Sequence, residues 1–158
     1  MVMERKILII DGDKDIHKFI KSELSYFSSE LDPETSGGWG YNIFDEDTSV
    51  SSTFEIDEAY QGTDGFFLVQ RALENHNPYL MVFIDMGMSD WDGVKTAQEI
   101  RKTDQTIQIV MITAESGLHR DEVVEQIGHQ EKLIFLQKPF YQSEIKSLVS
   151  NFSNIGFT

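Results

Sequence analysis

The sequence predicts a doubly wound α/β domain, with five parallel strands in one sheet and helices on both faces. Three apolar runs lack the polar alternation of half-buried strands, at residues 6–10, 80–84 and 107–112. Such runs are typical of strands buried on both faces of a parallel sheet. Segments with apolar residues at helical spacing separate the strands, as the crossovers between parallel strands require.

Length and composition limit the class of protein. The chain has 158 residues, no cysteine and a formal net charge of −14. It is long enough for one domain with a single core, and disulfides and thiolate metal sites are excluded. The acidic balance makes binding of nucleic acid or of an anionic membrane by this domain unfavourable. No leader peptide or membrane-spanning stretch is recognisable, so we expect a cytoplasmic protein.

The first strand, at residues 6–10, ends in the triplet Asp11, Gly12 and Asp13. Apolar side chains at helical spacing follow, so we expect an amphipathic helix that Asp13 or a near neighbour caps. Residues 28–52, rich in Ser, Gly, Asp and Glu, then interrupt the alternation of strands and helices. We expect an insertion between helix 1 and strand 2; a docking or dimer contact is its functional alternative.

The remaining elements alternate regularly. The other strands are expected at residues 53–59, 80–84, 107–112 and 133–136. The other helices are expected at residues 64–75, in the segment after Gly93, at residues 121–127 and at residues 143–152, the last capped by Ser143. Five strands and five helices complete the predicted domain.

Polar groups follow four of the strands: Asp11 to Asp13, Asp85, Thr113 and Lys138. Because the carboxyl ends of parallel strands share one edge of the sheet, these groups are expected to converge there. Clustered carboxylates need a counter-charge, and Mg²⁺ prefers oxygen ligands. A carboxylate such as Asp85 could attack phosphorus in line, with Lys138 and Thr113 meeting the charge of the phosphoryl group.

These features resemble the receiver domain of two-component response regulators. The matching stretches are ILIIDGD at the first strand, FIDMGMSDWDG around Asp85, MITA at the fourth strand and LQKPF at the fifth. The resemblance covers the chain apart from residues 28–52 and implies a flavodoxin-like fold. Residues 1–158 would form one receiver domain, either free-standing or part of a longer signalling protein.

The resemblance also implies a set of roles. Asp85 would accept a phosphoryl group from a histidine kinase or a histidine phosphotransfer protein, and Thr113 and Lys138 would contact that group. Asp11, Asp85 and the backbone carbonyl of Gly87 would bind Mg²⁺, which Asp13 could reach directly or through water. The domain would catalyse only its own phosphorylation and dephosphorylation, so we do not expect a conventional enzyme or an organic cofactor.

The domain would pass its signal to other domains or proteins through one surface. The resemblance implies that Thr113 and Phe135 form a switch, whose movement changes the face of helix 4, strand 5 and helix 5. An output domain or a partner protein would read that face, and a homodimer is an alternative.

The sequence departs from the family pattern at three positions. Gly12 stands where the family has a second acid, Ser89 stands where a proline is common, and Phe135 lacks a hydroxyl group. Gly12 puts Mg²⁺ affinity in question, and with it phosphorylation. The first alternative is therefore a degenerate receiver that acts as an interaction module without phosphate.

A second alternative belongs to another class. Asp11 and Asp13 after an apolar strand also resemble the nucleophile motif of haloacid-dehalogenase-type phosphatases. No acidic pair follows Lys138 to complete the metal site of such an enzyme. That alternative also leaves Asp85 and its loop without a task.

Overall fold

The structure is a computed structural model that describes residues 5–30 and 54–155, with side chains for residues 5–25 and 54–151. The strands are, in chain order, β1 Arg5–Ile10, β2 Phe54–Ala59, β3 Met81–Asp85, β4 Gln108–Thr113 and β5 Leu133–Gln137. The helices are α1 Lys14–Glu30, α2 Gly62–Glu74, α3 Gly93–Thr103, α4 Arg120–Ile127 and α5 Gln142–Ile155. A short 3₁₀ turn, Gln130–Lys132, precedes β5.

All five strands are parallel and lie in the order β2-β1-β3-β4-β5. The register pairs Ile10 with Ile84 and Asp85 with Ile112, so the carboxyl ends of the central strands are nearly level. The residues that follow these strands therefore share one edge of the sheet. The predicted doubly wound, flavodoxin-like architecture is confirmed.

The core lies on both faces of the sheet, because neighbouring residues of a strand point to opposite sides. On β1, Leu8 and Ile10 pack toward α2 and α3, while Ile7 and Ile9 pack toward α1 and α5. All six residues of β4 are buried. Unbroken apolar runs are therefore required in the centre of this sheet, and the sequence supplies them.

Two predicted helix caps have different outcomes. Asp13 caps α1, since its Oδ1 accepts a hydrogen bond from the Asp15 amide at 2.9 Å. The prediction that Ser143 caps the last helix is wrong, because α5 already begins at Gln142. Glu144 takes the capping role: its carboxylate accepts from the Tyr141 amide at 2.7 Å, which is the reciprocal half of a capping box.

The first helix extends into the segment predicted to be an insertion. α1 continues through Glu30, three residues into the segment 28–52. Residues 31–52 lie outside the described residues, so their predicted role stays a prediction. In the described part of the chain, none of the helices has the length and apolar character needed to cross a membrane.

Candidate functional site

Three of the predicted groups meet at the carboxyl edge of the sheet. Asp11 follows β1, Asp85 ends β3, and Lys138 follows β5. The Lys138 ammonium lies 3.6 Å from Asp85 Oδ1 and 3.8 Å from Asp11 Oδ2. The side chains of Lys138 and Asp85 are 27% and 17% exposed, so solvent and small solutes reach both groups. The Lys138 ammonium therefore forms ion pairs with two carboxylates on the exposed side of the site.

Asp11 is the buried member of the site. Its side chain is 1% exposed; Oδ1 accepts from the Asp13 amide at 2.8 Å, but the buried Oδ2 has no hydrogen-bond donor. Burial raises the pKa of Asp11 above its ordinary value of 3.8, an effect that the Asp13 amide opposes in part. The charge of Asp85 raises that pKa further. A buried carboxylate oxygen without a donor is a place where a cation would be stabilised.

The backbone of Asp11 is fixed on both sides. Its amide donates to the Ala59 carbonyl at 3.1 Å, and its carbonyl lies 2.7 Å from Nε2 of His17. His17 is 2% exposed and stacks on Tyr60, with ring centroids 4.5 Å apart. Nothing in the sequence spacing singles out His17, since its contact depends on one turn of α1 folding back over the end of β1.

Asp13 lies next to the site but is engaged elsewhere, because one of its oxygens caps α1. Among residues 5–30 and 54–155, no group of three or more His, Asp or Glu side chains is placed to hold a metal ion. The converging carboxylates are Asp11 and Asp85. Asp13 as a metal ligand stays a prediction.

Gly12 is not required by its surroundings. A Cβ built at this position would meet the carbonyl oxygen of Tyr60 at 3.9 Å, an ordinary contact distance. The backbone φ of Gly12 is not positive either. Neither the space around the Cβ nor the backbone conformation therefore demands glycine at position 12.

The loop between Asp85 and α3 is held at both ends. The Met86 amide donates to the Ile112 carbonyl at 2.9 Å, and the Gly93 amide donates to the Met86 carbonyl at 3.2 Å. A Cβ at Gly93 would lie 2.5 Å from the Asp85 carbonyl oxygen, so only glycine fits there. Gly87, the predicted carbonyl ligand, is exposed, and a Cβ built on it would lie 3.9 Å from Asp85 Oδ2.

Thr113 and Lys138 are linked through the backbone. The Lys138 amide donates to the Thr113 carbonyl at 2.8 Å, which extends the β4–β5 pairing to the site. Thr113 is 3% exposed, and its hydroxyl oxygen accepts from the Glu115 amide at 3.0 Å. The predicted phosphoryl contact thus already holds the first residues of the loop before α4.

Phe135, the predicted switch aromatic, lies in the middle of β5. Its ring is half-buried, packs against the core, and carries the Arg120 guanidinium 5.4 Å from its centroid. Arg120 is the first residue of α4, where a cation opposes the helix dipole. The stacking on Phe135 gives this arginine a favourable partner and joins α4 to β5.

The fold and the site together define a flavodoxin-like domain with a carboxylate–lysine centre at the carboxyl edge of its sheet. The chain belongs to the response regulator receiver domain family, whose profile matches residues 45–150. The matched part contains Asp85, Thr113 and Lys138, whereas β1 and Asp11 precede it.

A sequence relative matches most of the chain. Sensory transduction protein LytR of Staphylococcus haemolyticus is 24% identical over 147 residues, which cover 92% of this chain and 44% of that protein. The chain therefore spans less than half the length of this relative.

Similar solved structures include a CheY-like receiver domain from Methanospirillum hungatei, with a TM-score of 0.64, 15% identity and coverage of 96% of this chain and 95% of that one. The CheX–CheY–BeF₃–Mg complex from Borrelia burgdorferi matches with a TM-score of 0.66, 18% identity and coverage of 93% and 87%. At these identities the likeness shows the fold.

Proposed function

We propose that the chain is a phosphorylation-controlled signalling domain that accepts a phosphoryl group on Asp85. The phosphoryl donor would be a histidine kinase or a histidine phosphotransfer protein. The observation that carries the proposal is the position of Lys138, 3.6 Å from Asp85 and 3.8 Å from Asp11, in a chain of the receiver family. The proposal concerns this domain, and an output domain in a longer protein is part of the same hypothesis.

The chemistry assigns one role to each group. An oxygen of Asp85 would attack the phosphorus of a phosphohistidine in line, forming a P–O bond as the P–N bond breaks. The departing imidazole nitrogen keeps the bonding electron pair. The Lys138 ammonium would oppose the negative charge of the transferred group, and the buried Thr113 hydroxyl would donate to one of its oxygens.

The residues at the site fit Mg²⁺. Asp11 Oδ2 is a buried anionic oxygen without a donor, and Asp85 supplies a second carboxylate on the same edge. We assign Asp11, Asp85 and the Gly87 carbonyl as ligands, with Asp13 contributing directly or through water. When bound, Mg²⁺ supplies positive charge that offsets the repulsion between the carboxylates and the incoming phosphoryl group.

The proposed output runs through Thr113 and Phe135. A Thr113 hydroxyl drawn toward the phosphoryl group would move the loop that begins at Glu115. That loop leads to Arg120, which stacks on Phe135. The face of α4, β5 and α5 would then change its packing for an output domain, a partner protein or a second copy of the chain.

The charge of the domain limits what it can bind. The net charge of −14 disfavours direct binding of nucleic acid or of anionic lipid by this domain. We propose a cytoplasmic location.

The phosphatase alternative is not favoured, because the chain belongs to the receiver family and Asp13 is engaged in capping α1.

The experiment that tests the proposal is intact-mass analysis after incubation with acetyl phosphate and Mg²⁺. We expect a gain of one phosphoryl group that EDTA prevents and that Asp85→Asn abolishes. Phosphoramidate serves as a second donor, and beryllofluoride as a probe of the site that needs no transfer reaction. No mass gain with either donor, together with no beryllofluoride binding, would favour the phosphate-independent interaction module.

A further inference from the structure

The N-terminus of α2 is capped by a residue from another part of the chain. Gln61, which precedes α2, makes no side-chain capping bond. Instead, Asp90 Oδ1 accepts from the Gly62 amide at 3.1 Å. Asp90 Oδ2 accepts from the Thr63 amide at 3.1 Å and from the Thr63 hydroxyl at 2.8 Å. A carboxylate at this end of a helix satisfies unpaired amides and complements the helix dipole.

The two segments are also packed tightly together. A Cβ built at Gly62 would lie 2.1 Å from Thr96 Oγ1 and 3.1 Å from Trp91 Cβ, so only glycine allows this approach. The rings of Phe66 and Trp91 are in contact, with centroids 5.6 Å apart. The first turn of α2 therefore rests directly on the loop that contains Asp90 and on the first turn of α3.

Asp90 lies in the loop that also carries the proposed chemistry. This loop runs from Asp85 to Gly93 and contains Gly87. Its two ends are fixed by the backbone contacts of Met86 and Gly93. Asp90 adds an anchor between those ends, in a stretch where exposed Gly87 and Ser89 give little packing of their own.

The segment that precedes α2 also contacts Asp11. The carbonyl of Ala59, at the end of β2, accepts a hydrogen bond from the Asp11 amide. The next residue, Tyr60, packs its ring on His17, and His17 contacts the Asp11 carbonyl. Three residues later the chain reaches Thr63. The short connection between β2 and α2 thus contacts the Asp11 side of the site at one end and the Asp85 loop at the other.

We propose that Asp90 is a positioning residue for the phosphorylation of Asp85. By holding the loop of residues 86–92 against α2, it fixes Gly87 and Asp85 relative to Asp11. The inference rests on the proposed phosphorylation of Asp85 and adds to it a residue that touches neither the metal nor the phosphoryl group.

The protonation of Asp90 agrees with this role. Slight burial raises its pKa, but the hydrogen bonds from Thr63 and Gly62 outweigh that effect, and the pKa lies below its ordinary value of 3.8. Asp90 is therefore ionised at neutral pH, with both oxygens available as acceptors.

The test compares Asp90→Ala with two matched variants in a Trp39→Phe background. That background leaves Trp91, adjacent to Asp90, as the one tryptophan of the sequence. Asp90→Asn keeps an acceptor oxygen for one of the α2 amides. Asp64→Ala removes the same charge from the first turn of α2, where Asp64 is exposed. Each variant is titrated with Mg²⁺ by Trp91 fluorescence, and its phosphorylation by acetyl phosphate is timed by intact mass.

We expect Asp90→Ala to weaken Mg²⁺ binding and to slow phosphorylation, each by about fivefold to tenfold, the range that loss of a helix cap implies. Asp90→Asn should recover part of both, and Asp64→Ala should stay within about twofold, as loss of a surface helix-end charge implies. All measurements are made well below the melting temperature of each variant, so a purely structural role would lower that temperature and leave the Mg²⁺ titration unchanged.

The outcomes separate this inference from the proposed function. Wild-type Mg²⁺ affinity and phosphorylation rate in Asp90→Ala would overturn the positioning role and leave Asp85 as the phosphoacceptor. A wild type that binds Mg²⁺ but takes no phosphoryl group would overturn the proposed function, and weaker Mg²⁺ binding in Asp90→Ala would still support the anchor. A wild type that neither binds Mg²⁺ nor is phosphorylated would overturn both.

Discussion

The Lys138 ammonium lies between Asp85 and Asp11, 3.6 Å and 3.8 Å from their nearer oxygens. Both distances exceed that of a direct hydrogen bond, so the ammonium acts on each carboxylate through its charge. A cation held by two anions, on a side chain that is 27% exposed, remains accessible to an incoming anionic group.

Replacing Lys138 by methionine should remove that charge while keeping most of the side-chain volume. We expect phosphorylation of Asp85 by acetyl phosphate to slow by about 100-fold, the usual scale for loss of one electrostatic contact in a transition state. Lys102→Met is the matched control, since Lys102 is 72% exposed on α3. Equal rates in Lys138→Met and in the control would show that Lys138 takes no part in the transfer.

Restoring the acid at position 12 should strengthen Mg²⁺ binding. The Tyr60 carbonyl would be 3.9 Å from the new Cβ, so the Cβ of Gly12→Asp has room, and the substitution adds a carboxylate next to Asp11 in the chain. We expect about a tenfold gain in Mg²⁺ affinity, equivalent to about 1.4 kcal/mol. Gly12→Asn controls for shape without charge. An unchanged affinity in Gly12→Asp would indicate that Asp13 already supplies the missing oxygen.

Arg101 is expected to be a structural residue of large effect at the opposite end of the sheet. It is 3% exposed, and its guanidinium donates to the carbonyls of Ile107 at 2.7 Å and Lys132 at 2.9 Å. Arg101→Met would leave these carbonyls unpaired and should lower the free energy of unfolding by about 3 kcal/mol. Urea denaturation of this variant beside Lys102→Met measures the effect, and a loss equal to that of the exposed control would contradict it.

The predictable part of the molecule is the part that depends on local pattern. Continuous apolar runs identified the buried strands, and the shared direction of those strands placed Asp11, Asp85 and Lys138 on one edge. The first residue of α5 is harder to predict, because Ser143 and Glu144 both belong to residue types that cap helices. The structure begins the helix at Gln142, and this start makes Glu144 the capping side chain.

The less predictable part depends on contacts between distant segments. Asp90 caps a helix that begins 28 residues earlier, and His17 supports Asp11 from the following helix. Neither contact has a sequence period, because each arises from the packing of complete elements. A carboxylate in a loop predicts a cap for the helix that follows, and Asp92 is such a cap for α3. The same pattern does not predict that the nearby Asp90 caps α2, which precedes the loop.

Asp11→Asn should stabilise the metal-free protein at neutral pH. The substitution keeps an oxygen for the Asp13 amide and removes a buried charge whose Oδ2 has no donor. Since burial raises the folded-state pKa of Asp11 above 3.8, its ionisation destabilises the folded protein increasingly as the pH rises from 3.8 to that raised pKa, fully above it, and not at all well below 3.8. We expect a gain of about 1 kcal/mol in EDTA at pH 7 that shrinks as the pH falls toward 3.8, measured by urea denaturation.

The same variant should lose its response to Mg²⁺. In the wild type, Mg²⁺ binding to the folded state should raise the melting temperature, by an amount that grows with Mg²⁺ concentration. Asp11→Asn removes one of the two converging carboxylates, so its melting temperature should be independent of Mg²⁺. If the variant is more stable in EDTA and is still stabilised by Mg²⁺, then Asp11 is not a ligand of the metal. A variant less stable than the wild type at pH 7 would show that the attraction of Lys138 outweighs the burial of the Asp11 charge.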